Sequence, residues 1–388
     1  MTKYKVTYGG WYQRTTLHMS EVYSFFELGS SKLALSKDEL KKLHKNLDLS
    51  SSSRESGYFE YVKATTNDGI EIRYYEDGLY ILEISSDDVS EAQNKLESYY
   101  EKNFNPAISY IFSLGAPTPK VLANIKANHP VVVSVLSDTD DFHFDESVFG
   151  PIYTKVSSGN ITVYKTPQYI LIHAPESTSL FIPEITEMQI FFREFKDQLE
   201  KYLMIHRTIW EEISAIKEAK AVKGREVEEI RGKLDGYQKT ISLISNRINQ
   251  MGSYVSTRSS IAKRLEVDKH LVDIFEYKFE TLTDTLSYIK EIWKMTSDYL
   301  SSAIGNLVEI KNQSTSNNLK SLQTITSIGV ISGVLGYLSA KSVPSITRAG
   351  AVYFIALFIL TWFMNYAISS KYKNKKYSLK FGNRKTDI

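Results

Sequence analysis

The densest group of candidate ligands in the chain is a run of carboxylates, Asp138, Asp140, Asp141 and Asp145, with His143 and Glu146 beside them. Hard divalent cations such as Mg²⁺ and Ca²⁺ take oxygen ligands of this kind, so the run is a candidate metal site. Its spacing is not that of an EF-hand loop and no glycine stands at its centre, which favours the competing reading of a solvated acidic loop. A second chemistry lies in a row of amides and hydroxyls at helical spacing, Asn317, Ser321, Thr324 and Ser327, which continues into Ile331 and Leu335. Uncharged oxygens in such a row can replace part of an ion's hydration shell and line a water-filled path, with the two aliphatic residues as a constriction. The alternative is that these hydroxyls bond back to their own helix. The histidines His18, His44, His129, His173, His206 and His270 show no H-x-x-x-H or H-E-x-x-H spacing. No P-loop, Gly-x-Gly-x-x-Gly, nucleophile elbow or kinase motif occurs, and no enzymatic activity is expected. Gly9-Gly10 and Gly224 stand isolated, without a phosphate-cradling pattern.

The elements that must position these residues follow from patterning. Residues 1–176 read as an α+β domain. Short β-rich runs at Lys5–Tyr8, Tyr58–Ala64, Ile70–Tyr75, Leu79–Ile84, Val131–Leu136, Ile152–Val156, Ile161–Tyr164 and Tyr169–His173 are divided by turn signals such as Asn67-Asp68-Gly69 and Asp77-Gly78. Helices fall at Lys37–Leu47 with Ser36 as N-cap, at Val89–Tyr100 and at Pro119–Ala127. The stretch Ser50–Ser56 reads as a polar loop. Residues 177–320 change texture: proline is absent after Pro183 and apolar residues recur at helical spacing. Helices are expected from about Glu184 to Val222 and from about Arg225 to Leu265, with a third beginning near Val267 and running on unbroken. Its Leu271, Phe275, Leu282, Leu286, Ile289, Trp293, Leu300, Ile304 and Leu307 repeat near 3.5 residues, the period of helices packed lengthwise.

Residues 321–370 hold two apolar runs, Leu322–Ala340 and Ala349–Ser369, each about the length of a bilayer-crossing helix. The reading is a two-helix transmembrane hairpin in the cell membrane, with the lipid bilayer as partner. Lys371, Lys373, Lys375, Lys376, Lys380, Arg384 and Lys385 in the tail, 371–388, place both termini in the cytoplasm by the positive-inside rule. Gly329, Gly333 and Gly336 form a small-residue stripe suited to close helix packing in the first run. The formal charge of +2 gives no argument for nucleic-acid binding, and the absence of cysteine excludes disulfides and thiolate metal sites. No tightly bound cofactor is expected.

The segment Asn317-Asn-Leu-Lys-Ser-Leu-Gln-Thr-Ile-Thr-Ser-Ile-Gly and the closing Met364-Asn-Tyr-Ala-Ile-Ser-Ser-Lys-Tyr-Lys-Asn-Lys-Lys-Tyr, in this domain order, resemble the CorA-type metal-ion (magnesium) transporter family. The resemblance implies a homo-oligomer, a pentamer, that conducts a divalent metal cation. Its pore would be lined by the first membrane helix and gated through the stalk by the cytoplasmic domain, with carboxylates of that domain as regulatory Mg²⁺ or other divalent-cation sites. The family's Gly-Met-Asn at the outer end of the first span is missing. Gly336-Tyr-Leu-Ser-Ala-Lys-Ser-Val-Pro stands there instead, and Lys341 and Arg348 in the outer loop would repel a divalent cation. The alternative is a non-conducting, membrane-anchored scaffold or sensor with a cytoplasmic interaction domain.

Overall fold

The computed structural model describes residues 3–12, 18–114, 130–137, 142–218, 221–223, 226–338 and 348–378. The chain divides into two compact units, Met1–Ile205 with Leu243–Glu291, and His206–Ser242 with Ile292–Ile388.

The first unit is built on one mixed sheet. Its strands are β1 (Tyr4–Trp11), β2 (Leu49–Ser56), β3 (Glu60–Thr66), β4 (Glu71–Tyr75), β5 (Leu79–Ser86), β6 (Val131–Leu136), β7 (Thr154–Ser158), β8 (Ile161–Lys165) and β9 (Tyr169–Ala174). They lie in the order β2-β3-β4-β5-β1-β6-β9-β8-β7. Neighbours are antiparallel except β6 and β9. Two meanders, β2–β5 and β7–β9, thus meet through β1 and β6. The helices α1 (Met19–Leu28), α2 (Lys37–Leu47), α3 (Val89–Tyr99) and α4 (Asn105–Ile111) supply Phe25, Leu40, Leu96 and Ile108 to the same buried cluster as Val6, Val62, Leu82 and Val133 of the sheet. A π-helical turn, Tyr100–Phe104, joins α3 to α4.

Capping residues fix the helix starts. Ser36 accepts a hydrogen bond from the Glu39 amide, as the sequence predicts, and Asp88 accepts one from Glu91 at the start of α3. A short α5 (Glu146–Phe149) precedes β7. The Ser50–Ser56 stretch is not a loop but the edge strand β2. Its backbone pairs with β3 while its small hydroxyl side chains tolerate the wet edge, so no apolar alternation announces it. The helices α1 and α4 were not expected, and Pro119–Ala127 lies outside the described residues.

The long helices are α6 (Ile182–Glu218), α7 (Val227–Arg264), α8 (Asp268–Phe275) and α9 (Phe279–Leu338). The third expected helix is therefore interrupted. Glu276 takes a left-handed conformation, φ 57°, and its amide closes on the carbonyl of Val272 while that of Tyr277 closes on Leu271, which terminates α8. In the second unit Trp293, Leu300 and Leu307 are buried, and His206 bonds Thr296 at 2.7 Å beneath Trp293.

The transmembrane hairpin expected over 321–370 is overturned. Among the described residues no helix is long and apolar enough to cross a membrane. The end of α9 is diluted by Gln323, Thr324, Thr326, Ser327, Gly329, Ser332 and Gly333. The last helix, α10 (Arg348–Asn374), shares its apolar residues with Thr361, Asn365 and Ser370 and with Arg348, Lys371 and Lys373. The assignment to a cell membrane by two spans, with both termini cytoplasmic, is withdrawn with the hairpin. The α10 helix does leave Val352, Phe358 and Trp362 more than half exposed.

Candidate ligand-binding cleft

The first unit contains a cleft of about 1050 Å³ that begins where the sheet splits. β1 pairs with β5 over its whole length, from Tyr4 opposite Ser86 to Trp11 opposite Leu79. Its other edge pairs with β6 only from Tyr4 to Thr7. Continuing that register by two residues would set Gly9 opposite Pro130, which has no N–H to donate, and the ladder ends. Arg193 of α6 bridges the gap. Its Nη1 donates to the Pro130 carbonyl at 2.9 Å and its Nη2 to the Gly9 carbonyl at 3.1 Å, while the neighbouring Glu194 carboxylate holds the same guanidinium at 3.2 Å. A planar, multiply donating cation suits this double duty in a way that lysine does not.

One wall is aromatic. Tyr80 of β5 stacks on Tyr100 with ring centroids 5.4 Å apart and planes 8° apart. Tyr8 meets Tyr100 at 5.2 Å and Tyr12 meets Tyr80 at 5.2 Å. The Tyr12 hydroxyl donates to Asn105 Oδ1, which also accepts from Ser109. The π-helical turn adds a residue to the turn after α3 and carries Tyr100 itself; such turns recur at functional sites. Gly9 and Gly10 make the tyrosine packing sterically possible. A Cβ on Gly10 would lie 2.5 Å from the Tyr80 hydroxyl oxygen, and one on Gly9 would lie 2.8 Å from the Tyr80 carbonyl oxygen. The second wall is polar: Gln93, Asn94, Glu97 and Glu101 follow one another along α3 and the π turn, and Gln168 and Lys201 also line the cleft. Burial raises the Tyr8 pKa, and Tyr100, Glu97 and Glu194 add to the rise against the opposing effect of Arg193; this phenol is neutral at pH 7. Burial likewise pushes Tyr80 well up.

No family model, curated protein or solved structure matches this chain.

A second cluster looks catalytic but has the wrong proton order. Ser158 at the end of β7 lies 2.9 Å from His270 Nδ1, and its hydroxyl donates to Asp273 Oδ2 at 2.8 Å. With its one proton directed to the aspartate, the serine can only accept from His270. A nucleophilic serine needs the reverse, a proton moving from Oγ to the imidazole. The trio ties α8 to the β7–β8 hairpin and does not activate the hydroxyl.

The residues singled out from sequence stand elsewhere. Asp138, Asp140, Asp141 and Lys341 lie outside the described residues. Asp145 caps α5, accepting from the Ser147 amide at 2.9 Å and hydroxyl at 2.6 Å, which lowers its pKa. Among the described residues no three His, Asp or Glu side chains converge as metal ligands. Asn317, Ser321, Ser327 and Ile331 all lie on α9; Ser321 donates to the Asn317 carbonyl at 3.0 Å, Ser327 is exposed and Ile331 is 58% exposed. The side chains of Thr324, Leu335 and Gly336's surroundings are outside the described set, and a Cβ on Gly329 or Gly333 would meet nothing within 4 Å. Arg348 opens α10. The cleft residues were missed. Gly9-Gly10 directly after a β-rich run, between Tyr8 and Trp11-Tyr12, was the available signal, with Pro130 just ahead of the next strand.

Proposed function

We propose that the α+β unit is a binding module, the sensor or interaction domain of this chain, which takes a small polar ligand in the split-sheet cleft and performs no covalent chemistry on it. The observation that carries this reading is the interruption of the β1–β6 ladder at Gly9 and Pro130, bridged by Arg193 at the mouth of a cleft of about 1050 Å³. A cavity of that size fits a metabolite-sized molecule, and its convergent phenols, amides and carboxylates supply orientation. Ligand binding at this point would stabilise both sheet halves at once, because the end of β1 and the start of β6 both line the cleft. Conduction of an ion is not part of the proposal, since no described helix is long and apolar enough to cross a membrane.

The test is a thermal-shift screen of the full chain against a panel of cationic, anionic and neutral polar metabolites, repeated on Gly10→Val. The valine side chain would enter the space held by Tyr80 and reshape the cleft. At least one class should raise the melting temperature of the native chain and lose that effect in Gly10→Val. A native chain that responds to none, or a response that Gly10→Val leaves intact, overturns the proposal.

A further inference from the structure

We infer that the ligand of this cleft is an organic cation bearing ammonium groups. The inference rests on the binding-module reading and names its ligand class. Two independent features of the walls converge on it.

The first is the state of the charged groups. Arg193 is turned to the Gly9 and Pro130 carbonyls and to Glu194, so its positive charge is already shared among three acceptors. Lys201 stands beside Asp197 and favours that carboxylate's charged form. On the opposite wall Glu97 is oriented by Gln93, whose Nε2 donates to Oε1 at 2.8 Å, and Glu101 follows it four residues on along the same edge. Among the described residues neither Glu97 nor Glu101 has an ion-pair partner. An incoming anion would meet the carboxylates of Glu97 and Glu101, and of the two cations in the lining Arg193 is already shared among its acceptors; an ammonium would meet the complement.

The second feature is the aromatic wall. Tyr8, Tyr12, Tyr80 and Tyr100 contact one another and all four line the cleft. Neutral phenol rings carry negative faces that attract ammonium groups, most strongly where water is excluded. A ring surface with two carboxylates along its border is the usual solution for recognising alkylammonium ligands. Amides at Gln93, Asn94 and Gln168 can accept the remaining N–H donors through their carbonyl oxygens.

The experiment titrates the full chain calorimetrically with spermidine, sorbitol or citrate as cationic, neutral and anionic probes. A mild detergent covers the exposed apolar residues of α10. Spermidine should give saturable heat, weakened roughly tenfold by Glu97→Gln and roughly tenfold by Tyr100→Leu. Circular-dichroism melts of both variants verify that they fold. Saturable binding of sorbitol or citrate that Gly10→Val abolishes, with no spermidine response, overturns the ammonium inference and leaves the binding module standing. Spermidine heat that is the same in Glu97→Gln and Tyr100→Leu as in the native chain also overturns it, because the cation would then be collecting on surface carboxylates. Silence from all three probes overturns the inference and the binding module together.

Discussion

The two ends of β1 are one strand in two physical situations. From Tyr4 to Thr7 it is hydrogen-bonded on both edges; from Tyr8 to Trp11, among the described residues, only the β5 edge is paired. Each end also leans on a buried acid, and the two acids are held differently. At the paired end Glu83 belongs to a network: Thr7 donates to it at 3.1 Å, Lys5 lies 2.7 Å away and Arg73 3.7 Å, while Arg73 also reaches Glu187 at 3.3 Å. At the open end Asp77 accepts from the Leu79 amide at 3.0 Å, and among the described residues one cation, Arg258 at 2.7 Å, pairs with its charge. The Asp77-Gly78 turn in turn anchors the end of β1, for the Asp77 carbonyl accepts from the Trp11 indole and the Gly78 carbonyl from the Tyr12 amide. The paired end distributes its charge over several partners. The open end concentrates its support in a single pair and keeps the neighbouring strand edge clear for the cleft.

The sharpest way to break this contrast is to remove that pair. Arg258 and Asp77 have side-chain exposures of 1% and 0%, and the guanidinium is enclosed by the rings of Phe59, Phe191 and Tyr75 at 4.8, 5.0 and 5.4 Å. Arg258→Met leaves the Asp77 carboxylate buried without its cation, which costs about 3–5 kcal/mol. Thr7→Val at the paired end removes one of several bonds to Glu83 and costs about 1 kcal/mol. Urea denaturation of both variants measures the difference. Equal losses would mean that the two acids are supported alike and the contrast fails.

Arg193 gives the next largest effect and addresses the gap itself. Arg193→Met deletes the donors to Gly9 and Pro130 and should cost about 2 kcal/mol, since bonds to a charged donor are worth more than neutral ones. Arg193→Lys should recover only part, because a single ammonium cannot reproduce the planar bridge to two carbonyls. Native-state hydrogen exchange should show faster exchange in Tyr8–Trp11 than in Tyr4–Thr7 once the bridge is gone. Uniform acceleration along β1 would indicate that Arg193 acts on the whole strand rather than on its open end.

How much of this could be read from sequence depends on whether the information is local. The β-rich runs that became β1, β3–β6, β8 and β9 carry their own apolar content, and Ser36 signals its helix three residues before Glu39 closes the cap. The helical texture after Pro183 is equally local, although Glu276 ends α8 in a left-handed turn that no glycine or proline announces. The cleft is a different kind of object. Tyr8 and Tyr100 are far apart in the chain, Arg193 is farther still from Gly9, and the gap exists because Pro130 happens to fall opposite Gly9 in the register. No spacing rule encodes a register. The apolar runs after Leu322 are conspicuous because hydropathy is the most local signal of all, yet among the described residues the helices built from them are not of membrane-crossing length and apolarity.

The smallest expected effect is a pH dependence on the β6–β9 side of the sheet, away from both acids. His173 of β9 is buried, its ring stacked on Phe142 at 4.5 Å and its Nε2 within 3.2 Å of the Ser137 carbonyl. Burial lowers its pKa below the ordinary value near 6.5, and the carbonyl opposes the shift only in part. The unfolded chain therefore takes up the proton first as pH falls. Stability should be constant above about pH 7 and should decline through and below about 6.5. His206, lowered by burial as well, adds a component from the helical unit, so the measurement has to isolate His173. His173→Gln keeps a donor and an acceptor for Ser137 and removes the titration. Its stability relative to the native chain should improve as pH falls from about 7.5 to about 5.5. A constant difference across that range would show that His173 binds its proton equally well in both states, and the paired side of the sheet would then lack the acid sensitivity assigned to it.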